Sequence, residues 1–179
     1  MKNKKFKNGV VVGKFLLPHA GHIALIEKSL ERCEKLYIVI SDNAEKTKKA
    51  CKESRLPFVS ADLRKKWLVD HFAKSPRAKS IKVLILDENN LKPFPDGAEE
   101  FARRLAALVP SKIDALFFGE DSKIKDNKKY FPDTEMIVYE RGVATSPDIQ
   151  GSKLRNNWAL FRLYFVEGAL AFLRSIPPL

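Results

Sequence analysis

The chain has little cysteine: two residues, Cys33 and Cys51, in 179. Two thiols so placed give neither a disulfide framework nor a metal-ligand spacing, which excludes a stapled secreted domain and a zinc module. Long apolar runs are absent too. None nears the roughly 20 residues that a membrane helix needs. The basic start, Met1-Lys2-Asn3-Lys4-Lys5, is followed by no apolar signal-peptide core. A reducing cytoplasm is therefore the expected location. The chain holds no Gly-x-x-x-x-Gly-Lys-Ser/Thr stretch, so no phosphate-loop kinase domain is expected. Internal repeats are missing, as are low-complexity segments beyond lysine clusters.

A formal charge of +11 asks for a partner. The lysines are spread over the termini and over 46–52, 64–66 and 123–129, and no helix-turn-helix or aromatic RNA-binding sequence accompanies them. That disfavours nucleic acid. A phosphate-rich small ligand accounts for part of the charge and a solvated surface for the rest. The length suits one domain, 1–179, with a real core.

Strand-like runs alternate with helical patterns. The runs are Val10–Val12, Leu36–Ser41, Ile81–Leu86, Ala115–Phe118 and Met136–Tyr139. Helical spacing covers Ile23–Cys33, Ala61–Phe72 and Glu99–Leu108. Cys33 then falls on the apolar face of the first helix, Ser60 caps the second, and Leu63, Trp67 and Phe72 form its buried stripe. Such alternation predicts an α/β fold: a Rossmann-like parallel sheet of about five strands with helices on both faces. Three long loops interrupt it, at Asp42–Pro57, Asp87–Gly97 and Gly119–Pro132. Helical spacing from Leu160 to Leu173 closes the chain, either as core or as an interface between copies, with the core reading favoured.

The richest segment is Gly9-Val10-Val11-Val12-Gly13-Lys14-Phe15-Leu16-Leu17-Pro18-His19-Ala20-Gly21-His22. Three β-branched residues read as a strand buried on both faces. Gly13 lets the backbone turn tightly and approach a ligand, and Pro18 holds off the helix. That helix begins near the second histidine, so its free N–H groups and positive dipole end face whatever lies over the strand. His19 and His22, three apart across the junction, can point at one anion. A second anion site is expected at Gln150-Gly151-Ser152-Lys153-Leu154-Arg155, where a helix begins. Ser152 offers a hydroxyl there, and Arg155, three residues on, a planar fork for two oxygens.

These motifs resemble the signatures of the HxGH nucleotidylyltransferase superfamily. Gly-Lys-Phe-x-x-x-His-x-Gly-His resembles one branch most, the nicotinamide mononucleotide (NMN) adenylyltransferase domain of bifunctional adenylyltransferase–ribosylnicotinamide kinases. Ser152 and Arg155 take the threonine and arginine places of the second signature, Ile-Ser-x-Thr-x-Ile-Arg, with Gln150 in a serine place. Arg64 and Trp67 look like the branch's Arg-x-x-Trp helix. Phe94-Pro95-Asp96-Gly97-Ala98 resembles its Tyr-Pro-Asn-Gly-Trp loop, and Phe117-Phe118-Gly119-Glu120 the strand and turn before its adenine-binding loop.

The resemblance implies an enzyme of the nicotinamide-nucleotide adenylyltransferase type in NAD biosynthesis, joining ATP and NMN into NAD and pyrophosphate. His19, His22, Lys14 and Arg155 would be its catalytic residues. Gly13, Phe15, Gly21, Gly119, Glu120 and Ser152 would bind nucleotide, and Trp67 and Phe94 the acceptor. Mg²⁺ would arrive with ATP, with no metal site built by the protein. Ala98 stands where the branch has a tryptophan associated with holding the nicotinamide ring. Alanine cannot stack, so another phosphorylated acceptor, or CTP as donor, stays open as the alternative. A non-catalytic nucleotide sensor is disfavoured because both phosphate motifs keep their key side chains. Whether copies of the chain associate is left open.

Overall fold

A computed structural model describes residues 5–119, 128–139, 151–156, 158 and 162–176, of which residues 151–153 and 162 by backbone only. Five parallel strands form one sheet: β1 (Phe6–Gly13), β2 (Cys33–Asp42), β3 (Ile81–Asp87), β4 (Ala115–Phe118) and β5 (Glu135–Val138). Their order is β3-β2-β1-β4-β5. The chain thus lays strands outward on one side of β1, then returns to lay β4 and β5 on the other. A right-handed crossover keeps its hand when the direction of travel reverses, so its helix must change face. Accordingly α1 (Ala20–Glu31) and α3 (Ala61–Phe72) cover one face, and α4 (Ala98–Leu108) the other.

The valine run explains why β1 is central. Val11 joins Ile38, Phe117, Ile26, Leu30, Leu68 and Phe72 in the core beneath α1 and α3. Its neighbour Val10 points the other way, into the core of Tyr37, Val39, Leu116, Ala102 and Leu105 beneath α4. Alternate side chains of a strand fill opposite faces, so both must be apolar.

A third cluster caps the carboxyl ends of the strands. It gathers Leu16, Leu17, Cys51, Trp67, Leu154, Phe165, Ala169 and Leu173 from the turn after β1, α2 (Ala44–Glu53), α3, α5 (Gly151–Asn156) and α6 (Glu167–Arg174). The core reading of the C-terminal stretch holds for Phe165, Ala169 and Leu173, whereas Leu163 is 88% exposed.

Four expectations are corrected. Cys33 belongs to β2, not to the first helix, which ends at Glu31. It pairs with Phe6, and its sulfur fills the space that a Cβ on Gly9 would occupy, only 2.2 Å away. Burial pushes its thiol up to about 12, so it is chemically quiet. The lysine-rich stretch 42–57 is largely helix α2, not loop. Asn43 caps it by accepting from the Lys46 N–H at 2.9 Å, and Thr47 and Cys51, four apart, bury one face. The Leu160–Leu173 pattern is not one helix. Arg162–Tyr164 is a 3₁₀ turn, Phe165 bridges His19, and α6 starts only at Glu167. Backbone pairing to the turn after β1 breaks the helix there: the Val166 N–H donates to the Pro18 carbonyl at 3.1 Å. Within the third expected loop, residues 128–130 are helical.

Candidate active site

Gly13 ends β1 at the point where strand order reverses, the place where open α/β sheets bind ligands. A Cβ on Gly13 would sit 3.0 Å from the Phe15 ring. The turn that follows puts Phe15 (φ 47°) and Leu17 (φ 64°) in the left-handed region, at an energetic cost of order 1–3 kcal/mol each. Several contacts offset that strain. Phe15 and Leu17 are buried in two different cores. Arg64 Nη1 donates to the Lys14 carbonyl at 2.7 Å, and the Pro18 carbonyl accepts from Val166.

Held in this way, the turn delivers two histidines to the start of α1. His19 is the extended N-cap residue, and its carbonyl accepts from the Ile23 N–H at 3.0 Å. Its ring, 3% exposed, lies 3.8 Å from that of His22, centroid to centroid, tilted by 30°. Phe15 meets His22 edge-on at 5.0 Å. The first turn of α1 carries no acidic residue, so its positive end is left for an outside anion.

Arg155, on α5, comes to the same turn. Its Nη1 stands 3.5 Å from the Leu16 carbonyl and its Nε 3.4 Å from the Ser54 hydroxyl. Burial pulls the guanidinium below its ordinary pKa, a cost that a bound anion would offset. Leu154 packs beside Leu16 and Leu17. The two motifs, about 130 residues apart in sequence, therefore meet, with α5 beginning at Gly151 as expected. Gly21 lies in the first turn of α1, and Gly119 directly follows β4. Glu120, Gln150 and the Ser152 side chain lie outside the described residues.

On the α4 side of the same rim opens a cavity of about 380 Å³. Its floor is apolar, from Val12, Leu91, Ala98, Phe101, Leu105, Leu116 and Phe118. Its rim holds Gly13, Lys14, Ser41, Lys46, Glu88, Lys92, Phe94 and Tyr130. Gly97 lets its wall close, since a Cβ there would meet the Lys92 carbonyl at 2.1 Å. Ser41 donates its hydroxyl to Glu88 Oε1 at 2.5 Å.

The structure thus brings Gly13, Lys14 and Phe94 to the cavity, and His19, His22, Phe15 and Arg155 to the adjoining turn. It does not bring Trp67 there. That ring is 4% exposed, packs on Phe172 at 5.5 Å, and fills the space beside Gly168. Arg64, 1% exposed and named by the motif resemblance without a role, is the residue of most consequence around the turn. It bonds the carbonyls of Lys14, Ser41 and Ser60 and pairs with the Asp42 carboxylate. One guanidinium thereby ties the ends of β1 and β2 to the start of α3. Ser41, Lys46, Glu88, Lys92 and Tyr130, which also line the cavity, were missed by the sequence reading. Ser41 ends a strand and Glu88 follows one, a signal that the carboxyl-end rule could have used.

Residues 10–157 match the cytidylyltransferase-like family. The trifunctional NAD biosynthesis/regulator protein NadR of Salmonella typhimurium LT2 is 27% identical over 156 residues, 83% of this chain and 36% of that protein. The Escherichia coli K12 NadR is 24% identical over 155. The chain thus spans about a third of the length of these relatives. Among solved structures, a NadR protein in complex with NR superposes with a TM-score of 0.67 at 25% identity, over 93% of this chain and 46% of that one. A NadR complex with NAD and AMP-PNP gives 0.67 at 24%, over 92% and 46%. A Francisella tularensis bifunctional NMN adenylyltransferase/ADP ribose pyrophosphatase shares the fold at 0.69 and 14% identity, over 95% and 49%. With the family match spanning most of its length and the motif-bearing turn inside it, the chain belongs to the cytidylyltransferase-like family.

Proposed function

We propose that this chain is a nucleotidylyltransferase that joins ATP and NMN to give NAD and pyrophosphate. The observation that carries the reading is the convergence of the His19/His22 pair, the bare start of α1 and Arg155 on one strained turn beside an acceptor-sized cavity. The NadR relatives, crystallised with NR and with NAD and AMP-PNP, support nucleotide substrates.

In this reading a phosphate oxygen of the acceptor attacks the α-phosphorus of ATP in line, and pyrophosphate leaves. That phosphate is already an anion at neutral pH, so the site needs alignment and charge neutralisation rather than a general base. His19 and His22 donate N–H bonds to the α- and β-phosphates, and the α1 start adds its dipole. Lys14 contacts phosphate as a point charge. Arg155, with Ser152, holds the leaving end, and Gly13, Gly21 and Gly119 allow close backbone approach. Phe15 sets the His22 ring. Phe94 faces the acceptor's ring, a task for which buried Trp67 is replaced here as a proposal. Among the described residues no group of three or more His, Cys, Asp or Glu gathers as a metal would need. Mg²⁺ arriving with the nucleotide would neutralise phosphate charge beside Lys14, the His19/His22 pair and Arg155.

The test is pyrophosphate release by the purified chain with Mg²⁺-ATP, with and without NMN. Release that requires NMN and yields NAD upholds the proposal. Release only with another acceptor, or only with CTP, shifts it to the second reading, which Ala98 at the cavity floor favours. No release with any pair overturns both.

A further inference from the structure

Helix α2 ends against Arg155. Its last turn closes with the Arg55 N–H donating to the Lys52 carbonyl at 3.0 Å and the Leu56 N–H donating to the Cys51 carbonyl at 2.8 Å. That pair of bonds needs a left-handed residue at position 55, where glycine is the common choice. This chain has Arg55 there, at φ 52° and with its side chain exposed. Packing holds the strained conformation: Leu56 folds back beside Cys51, in the cluster that also contains Leu16, Leu17 and Leu154. Ser54, the residue at the helix end, is thereby set against Arg155, 101 residues away. The helix does not need a serine there. Its closing bonds come from backbone N–H groups, that of Ser54 reaching the Ala50 and Cys51 carbonyls at 3.2 and 3.1 Å, and the hydroxyl takes no part in them.

The hydroxyl instead accepts from Arg155 Nε at 3.4 Å, while the Leu16 carbonyl accepts from Nη1 at 3.5 Å. A guanidinium is planar, so acceptors at two of its nitrogens fix the plane and aim the remaining N–H groups. Charge follows the same lines. The last carbonyls of α2 form its negative pole, which favours a cation. Burial lowers the pKa of Arg155, and the neighbouring Cys51 and Glu53 act the other way. Resting on the function proposed above, we infer that Ser54 is a positioning residue for the leaving pyrophosphate: its hydroxyl fixes the plane of the Arg155 guanidinium and so aims the Nη groups at the phosphates.

Inorganic pyrophosphate and Mg²⁺-ATP carry the phosphates in question, so their binding separates Arg155 from the acceptor side. The full chain, Ser54→Ala, Ser54→Thr, Arg155→Ala and the double alanine variant are titrated with each by calorimetry, and kcat and KM are measured for ATP and NMN. Ser54→Ala should weaken pyrophosphate binding and lower kcat/KM for ATP by about three- to tenfold, the worth of one hydrogen bond. The KM for NMN and the melting temperature should not move. Ser54→Thr keeps the hydroxyl and should recover most of the loss. In the Arg155→Ala background the effect of Ser54→Ala should vanish, because the donor is gone. A role in the helix end alone would lower the melting temperature and persist without Arg155. Unchanged pyrophosphate binding in Ser54→Ala, the same loss in Ser54→Thr, or an equal loss with and without Arg155 overturns the inference alone. Weaker pyrophosphate and ATP binding in Ser54→Ala that depends on Arg155, without NMN-dependent turnover in wild type, upholds the inference while the proposed reaction fails. Binding of neither pyrophosphate nor ATP by the wild-type chain overturns both.

Discussion

The two walls of the crevice are built on opposite terms. On one side, the turn from Phe15 to His19 is sunk into the protein, with all five residues buried and only Lys14 before them exposed. On the other, the run Lys92-Pro93-Phe94-Pro95-Asp96 is exposed throughout, with Phe94 64% accessible. The first wall is shaped by the same packing that stabilises the fold, so its geometry does not depend on a ligand. The second is anchored at its ends, by Gly97 against the Lys92 carbonyl and by α4, and shows its side chains to solvent. In the proposed reaction, phosphate handling would thus be bound up with stability, whereas acceptor choice could change at little cost to it.

The largest effect expected from this difference lies at Arg64. Arg64→Ala removes the guanidinium from the Asp42 carboxylate and from the Lys14 and Ser41 carbonyls, while Ser60 keeps the bond from the residue-64 backbone N–H, and breaking such a buried pair costs about 3–5 kcal/mol. For a chain of this size that is a fall in melting temperature of about 6–20 °C. Activity should fall with it, since the Lys14 carbonyl loses its anchor. An unchanged melting temperature would show that the buried turn is not held in the way described. Next comes His22→Ala. It should cut turnover by about ten- to a thousandfold, with circular dichroism and melting close to wild type, because His22 is only half-buried. Turnover within about twofold of wild type would remove His22 from the proposed site.

The same contrast decides what the sequence could reveal. The buried wall was legible. A valine run, a glycine and a proline-bounded pair of histidines each have one physical use, and the strands and the switch point followed from them, though α1 starts at Ala20, two residues before the second histidine. The exposed wall was legible only as a loop with a phenylalanine in it. Lys46 and Lys92 looked like any solvated lysine, because only the fold brings them together at the cavity rim. Helix α2 was hidden by composition. Its lysines read as loop, while the Asn43 cap and the Thr47/Cys51 spacing gave a weaker, four-residue signal. Trp67 shows the opposite failure. A motif resemblance pointed to a ligand, but Gly168 and Phe172, a hundred residues away, make a slot for the ring in the core.

That placement separates the two aromatic residues by experiment. Phe94→Ala should raise the acceptor KM by about three- to tenfold through lost ring contact, without lowering the melting temperature. Trp67→Ala should do the reverse. It opens a cavity between α3 and α6 and costs about 3–5 kcal/mol, with no selective effect on acceptor KM in the folded fraction. A KM effect at Trp67 with unchanged stability would put the ring back in the site and erase the distinction between the walls.

The smallest effect concerns how the exposed wall is tied down. Arg104 on α4 donates to the carbonyls of Asp87 and Asn89, at the root of the loop, and also bonds Glu100. Bonds from Arg103 and Arg104 pull the Glu100 carboxyl from 4.5 to about 2. A carboxylate whose pKa is depressed by folding stabilises the fold above its unfolded value and loses that contribution as pH falls through its folded one. The stabilising share is therefore present above about pH 4.5 and disappears toward pH 2. Because the group is open to solvent, the change is small and screened by salt. Glu100→Gln should flatten the melting-temperature profile across that window and leave it unaltered at neutral pH apart from a small constant offset. It should also loosen Arg104 enough to raise the hydrogen-exchange rate of the Asn89 and Leu91 amides, while the amides of Val11 and Val12 in buried β1 keep theirs. Equal acceleration in both places would mean that the two walls open as one unit, and the separate roles proposed for them would not hold.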